Sequence, residues 1–188
     1  MLYRIFSVLP ILVSLFWILM LLIDEQKNRS KKYFIFLLTF ILINFMGHAA
    51  YFNHEYGLYS VLDSIWVFTS LLIFPLYYYY IRLLTTDISV QHKWAWLAVP
   101  SLLLAIYSAV IYLLMTPAEV ESFIQGIMYQ KSGYEPYSRL VRLQILREYL
   151  FKILFSVQVI LSVYFGFRLI NKYNKKVKTF YSNLGGKD

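Results

Sequence analysis

IFSVLPILVSLFWILMLLI, residues 5–23, runs for nineteen positions without a charged side chain. As an α-helix it would be about 28 Å long, at about 1.5 Å per residue. That is close to the roughly 30 Å hydrocarbon core of a bilayer. The apolar region of a signal peptide is shorter, about 7–15 residues, and no small-x-small cleavage motif follows Ile23. The stretch reads as a retained membrane-spanning helix, with Pro10 near its outer end. Proline is tolerated there when neighbouring groups satisfy the carbonyl it frees.

The pattern recurs downstream. Further spans are predicted at about 33–52, 58–84 (with Pro75 inside), 94–115 (with Pro100 in its first turns) and 149–170. The composition agrees: 60% of the 188 residues are hydrophobic and only 15% charged, with mean hydropathy +0.57. Soluble domains run nearer half apolar and a quarter charged. The expected fold is all-α, a polytopic transmembrane helical bundle of about five spans within residues 1–170. A basic cytoplasmic connector, residues 171–188, follows it. Cysteine is absent, which excludes disulfides, iron–sulfur ligation and thiol catalysis. The net charge of +8 would suggest nucleic acid in a soluble chain. Here most basic residues flank apolar runs, where membrane topology requires them.

Lysine and arginine set the orientation, because they accumulate on the cytoplasmic side. Lys27, Arg29, Lys31 and Lys32 fill the first loop, Arg82 and Lys93 flank the third, and six more lie from Arg168 onward. With the N-terminus outside, these twelve are cytoplasmic and six are outside: Arg4, Lys131, Arg139, Arg142, Arg147 and Lys152. The C-terminus is then cytoplasmic. Tyr77, Tyr78, Tyr79, Tyr80 and Trp94 bracket the third loop, at headgroup depth, where amphipathic rings are best solvated. Arg82 can snorkel to the same face. These six are the expected membrane-interface residues.

Residues 116–148 form the one sizeable outer segment. Thr116-Pro117-Ala118-Glu119 has capping-box spacing with proline at the first helical position. Val120, Phe123, Ile124, Ile127 and Met128 recur at helical spacing, which predicts an amphipathic helix over 117–130. Gly133 should break it, and the pattern is helical again from Ser138.

Chemistry-bearing residues are few. His48, His54, Glu55 and Asp63 are the best metal candidates, since imidazole and carboxylate suit zinc or iron. Their spacing matches no zinc signature, and a water-facing rim accounts for them equally, with His48 bonded to a neighbouring helix. Asp63 is an ionisable group within a span, which marks a functional hypothesis. It also lies close enough to the outer end to reach water, and Lys152 is its candidate partner. Arg139, Arg142 and Arg147 could bind an anionic ligand. Contact with lipid phosphates and adjacent acidic residues is the preferred account of them. No nucleophile–base set, His-Glu-x-x-His, P-loop or dinucleotide motif is present. The paired repeats of transporters are also missing. The expectation is a protein without enzymatic function, catalytic residues, bound metal or cofactor.

Phe74-Pro75-Leu76-Tyr77-Tyr78-Tyr79-Tyr80-Ile81-Arg82-Leu83-Leu84-Thr85 resembles the Pro-Leu-x-Tyr-x-Tyr-x-Arg-x-Leu segment of membrane-anchored AraC-type transcriptional regulators of bacteria. Gln91-His92-Lys93-Trp94 with Pro100 is similar to the short loop and span opening that follow in that family. The tail from Lys175, with Tyr181-Ser182-Asn183, is similar to its basic connector. The likeness covers most of residues 60–188. It implies a multi-pass protein of the bacterial inner membrane, the sensory or anchoring part of a longer regulator. The family's DNA-binding region of two helix-turn-helix units does not lie within residues 1–188, so no residue here is expected to contact DNA. The implied partners are the lipid bilayer, optionally a second copy in a homodimer, and a signal ligand of unknown identity. Two alternatives stand beside this: the input domain of a histidine kinase or other signalling protein, and a small intramembrane metal-dependent hydrolase built on His48, His54 and Asp63.

Overall fold

A computed structural model of the chain describes residues 2–25, 28–86, 96, 98–134 and 136–184. Among them every regular element is helical: α1 (Leu2–Ile23), α2 (Arg29–Phe52), α3 (Tyr56–Thr86), α4 (Val99–Leu114), α5 (Pro117–Glu121), a π-helical turn (Ser122–Met128) and α6 (Arg139–Leu184). Four stretches, Arg4–Ile23, Arg29–Phe52, Tyr56–Thr85 and Arg139–Tyr181, are long and apolar enough to cross a membrane, and Val99–Leu114 is a shorter apolar helix. α1 leaves Phe6, Leu12, Phe16, Leu19 and Leu22 exposed, a surface that lipid tails can solvate and water cannot.

α3 is the hub, packed against α2, α4 and α6, while α1 leans on α2. Small residues and polar clamps bring these helices together, as expected where lipid removes the hydrophobic drive between helices. A Cβ on Gly47 of α2 would lie 3.0 Å from Trp66 of α3, so a larger residue there would force the Trp66 side chain to give way. One turn away, Asn44 donates to Thr69 Oγ1 at 3.1 Å and Ser70 Oγ at 2.6 Å.

The helix ends follow local rules. Asn28 caps α2, accepting from the Ser30 amide at 3.0 Å. α2 closes in a Schellman motif: the His54 amide bonds Tyr51 O and the Glu55 amide bonds Ala50 O. At the start of α5 the Thr116–Glu119 capping box is complete in both directions. Hydrogen bonds from the Ser138 hydroxyl, then from the Thr116 backbone and hydroxyl, hold the Glu119 carboxyl below the usual range. A depressed carboxyl favours the folded state at neutral pH, and that contribution is lost as pH falls through the lowered value.

The segment between α4 and α6 departs from simple periodicity. The helix expected over 117–130 is α-helical only to Glu121 and then widens, with the Tyr129 amide reaching Ile124 O five residues back. The widened turn buries Gln125 and Gly126 beside Phe123 and Ile124. A Cβ on Gly126 would come within 2.9 Å of Tyr134 Cβ. Val120, Phe123, Ile124, Ile127 and Met128 all pack into one core with Ala50, Tyr59, Ile111, Met115 and Val141. Chain reversal then uses Gln130 and Gly133 at positive φ. Arg139 opens α6, which continues unbroken into the segment expected to span at 149–170 and on to Leu184. The connector expected from residue 171 is therefore helical through Leu184.

Candidate functional site

The end of the bundle that carries α5 and the π-turn encloses an ionic cluster assembled from three helices. Asp63, on α3, is wholly buried. Tyr59 lies one turn earlier on the same face and donates to Asp63 Oδ1 at 3.1 Å. From α4, Tyr112 donates to Asp63 Oδ2 at 2.8 Å. From α6, Arg147 Nη2 donates to the same oxygen at 2.5 Å.

Arg147 is the centre of the arrangement and is itself completely buried. Its planar fork serves three acceptors: Asp63, Glu148 Oε1 at 2.6 Å through Nη1, and Gln144 Oε1 at 3.0 Å through Nε. Gln144 in turn donates to Ser108 O at 3.1 Å, and Ser64 joins Ser108 at 3.0 Å. Phe123 of the π-turn covers the guanidinium, which sits 5.6 Å from the ring centroid. Arginine suits this role because its five donors diverge in a fixed plane and it remains charged when desolvated. The result is one cation facing two carboxylates, with nearly every polar atom engaged. Such a cluster can hold three helices in one register.

The residues singled out from sequence distribute as follows. Asp63 is paired with Arg147, and Lys152, expected as its partner, is instead exposed with its ammonium 5.9 Å from the Tyr149 ring centroid. Arg147 and Lys152 are five positions apart and so face different directions on a helix. The same phase separates the arginines: Arg139 and Arg142 are exposed, whereas Arg147 is buried. Val141, Gln144, Glu148 and Phe151, at spacings of three and four, line the buried stripe with it. Arg139 and Arg142 are thus open to their surroundings and Arg147 is not.

The metal candidates do not come together. His48 is half-buried and lies edge-on to Trp66, with centroids 5.4 Å apart. His54 sits in the turn beside Tyr56 and Tyr129, and Asp63 is committed to the cluster. No group of three histidine or carboxylate side chains able to hold a metal occurs among the described residues. His54 adopts φ 60° because the Schellman motif requires a left-handed residue there. His54→Gly is therefore expected to stabilise the protein by about 0.5–1 kcal/mol, read as a raised Tm in detergent. A lowered Tm would mean the imidazole has a role beyond closing the helix.

Of the interface residues, Tyr77 is exposed, Tyr78, Tyr80 and Arg82 are half-buried, and Tyr79 is buried. Tyr79 and Tyr80 pack on Tyr33 and Phe34 of α2, with centroids 5.2 and 5.0 Å apart. These two therefore join α3 to α2. Trp94 lies outside the described residues.

Compared with known proteins, the chain matches no family model, no curated protein and no solved structure.

Proposed function

We propose that the chain is the multi-pass sensory or anchoring region of a membrane-bound transcription regulator of the AraC type, with five spans, its N-terminus outside and its C-terminus in the cytoplasm. The observation that carries this is the continuity of α6. Its 46 residues extend about 69 Å at about 1.5 Å per residue, more than twice the roughly 30 Å hydrocarbon core. One rigid element thus joins the buried cluster at Arg147 to the basic stretch containing Lys172, Lys175, Lys176 and Lys178. A signal that favours one packing of α3 and α4 against α6 shifts the population of helix positions, and the far end of α6 moves with it. The tyrosine-rich segment from Phe74 supports the AraC-type assignment. α4 serves as the fourth span, contacting both α3 and α6. The mechanism is transmission and not catalysis, and the tail lysines face anionic lipid, each worth about 1 kcal/mol near the surface.

Two experiments test it. The coding sequence past Asp188 is expected to continue into two helix-turn-helix units. A kinase core or an immediate stop would overturn the AraC-type assignment. A reporter fused after Asp188 should be active only in the form that works in the cytoplasm. Activity of the externally working form would overturn the orientation.

A further inference from the structure

An open groove of about 410 Å³ lies between the outer ends of α1, α2 and α3, within the size range of small-ligand sites. Its walls are apolar, with Val8 and Ile11 from α1, Met46 from α2 and Leu62 from α3. Three polar residues interrupt them: Arg4, Asn53 and Glu55. Arg4 and Glu55 are exposed and of opposite charge. Neither belongs to the ion pairs found among the described residues.

Asn53 adds a second, independent indication. Its Nδ2 donates to Ser7 Oγ at 2.9 Å and to Ala49 O at 2.8 Å. The Ser7 hydroxyl hydrogen is already given to Arg4 O at 2.9 Å, so Ser7 must accept from Asn53. Both neighbours being acceptors, the amide cannot be turned over. Asn53 Oδ1 is left buried with no donor, a condition that proteins resolve with water or a ligand. The groove therefore lacks an apolar body, an anion for Arg4, and a cationic N–H donor for Glu55 and Asn53.

The geometry points to a binding site for a phosphatidylethanolamine, a zwitterionic phospholipid whose headgroup ends in a primary ammonium. The phosphate meets Arg4 and the ammonium meets Glu55, and a small shift of the Asn53 side chain uncovers Oδ1 to accept one ammonium hydrogen. The start of an acyl chain lies along Val8, Ile11, Met46 and Leu62, and the rest stays in the bilayer. A choline headgroup has no N–H to donate, and a phosphoglycerol headgroup has no cation. The site stands independently of the proposed function. Its occupancy would press on the first turns of α3, where Leu58 and Leu62 line the groove one position before Tyr59 and Asp63.

The test is native mass spectrometry of the full chain in detergent, with phosphatidylethanolamine, phosphatidylcholine and phosphatidylglycerol of matched acyl chains. Phosphatidylethanolamine is expected to be retained about tenfold over phosphatidylcholine, the worth of one charge-assisted hydrogen bond. Glu55→Gln, at an exposed position, should bring that ratio close to one, and Arg4→Gln should weaken all three lipids. Asn53→Leu should also remove the preference, with helicity by circular dichroism verifying the fold. Free phosphoethanolamine should not displace the lipid, because it lacks the chains. Equal retention of the three lipids, an undiminished preference in Glu55→Gln, or displacement by the free headgroup would each overturn the assignment.

Discussion

Replacing Arg147 with methionine is expected to destabilise the bundle by about 3–5 kcal/mol, the cost of stranding buried charge. The substitution removes the donor shared by Asp63, Glu148 and Gln144. Asp63 would retain only the hydroxyls of Tyr59 and Tyr112, and Glu148 would lose its cation. Arg147→Lys should recover only part of the loss, since a single ammonium cannot span three acceptors as the guanidinium fork does. The triple variant Asp63→Leu, Arg147→Met, Glu148→Leu is expected to regain most of the stability. Apolar replacements of a whole buried ionic triad are often neutral or stabilising. Thermal unfolding of the three variants in one detergent measures the order. If Arg147→Met unfolds with the unsubstituted protein, the cluster is solvated in solution and holds nothing together.

That ordering bears on why the cluster exists. If an apolar core would serve stability as well, the ionic version contributes something else, and fixing one helix register against alternatives is its best-attested use. Three helices meeting at one carboxylate have few packings that satisfy every group, so a shift of α6 must break or exchange specific bonds. Under the proposed function, such an exchange of bonds is the two-state step that a transmitted signal needs.

The apolar helices were legible because about 18 uncharged apolar residues have few other uses, although Val99–Leu114, where a span was predicted at 94–115, is shorter than the other four. Hydropathy marks the hydrocarbon core and not the helix, which is why α2 starts at Arg29, ahead of the predicted Tyr33, and α6 runs to Leu184. Lys31, already helical, reaches back to Asp24 at 3.0 Å and pins the first turn. The Asp63–Arg147 pair was not legible, because it joins residues 84 positions apart and depends on helix phase. Helix phase alone did not decide it either: Gln144 and Glu148 fall in register with Val141 and Phe151, but Arg147 and Lys152 flank that stripe on opposite edges, about 140° apart at 3.6 residues per turn. The π-turn left no trace in a pattern tested against 3.6 residues per turn. Tyr79 was read by its place beside the third loop, and only packing reveals that it faces α2.

Phe123→Ala carries the second large effect, an expected loss of about 3–5 kcal/mol for a fully buried aromatic. Its ring is wholly inaccessible. It meets Tyr112 edge-on at 6.0 Å, and the Arg147 guanidinium lies 5.6 Å from its centroid. Truncation would therefore do more than open a cavity. It would remove the lid from a buried charge and free the hydroxyl-bearing ring that also holds Asp63. Part of the loss should then depend on Arg147. In a double-mutant cycle with Arg147→Met, the coupling is expected to be about 0.5–2 kcal/mol, combining the cation–π contact with exclusion of water. Phe123→Leu, which keeps the cavity largely filled and removes the ring face, should lose the coupling while retaining much of the stability. Additive effects of Phe123→Ala and Arg147→Met would show that the outer segment and the cluster are energetically separate. Strong coupling would give the outer segment, through one aromatic ring, a direct hold on the residue at the head of α6.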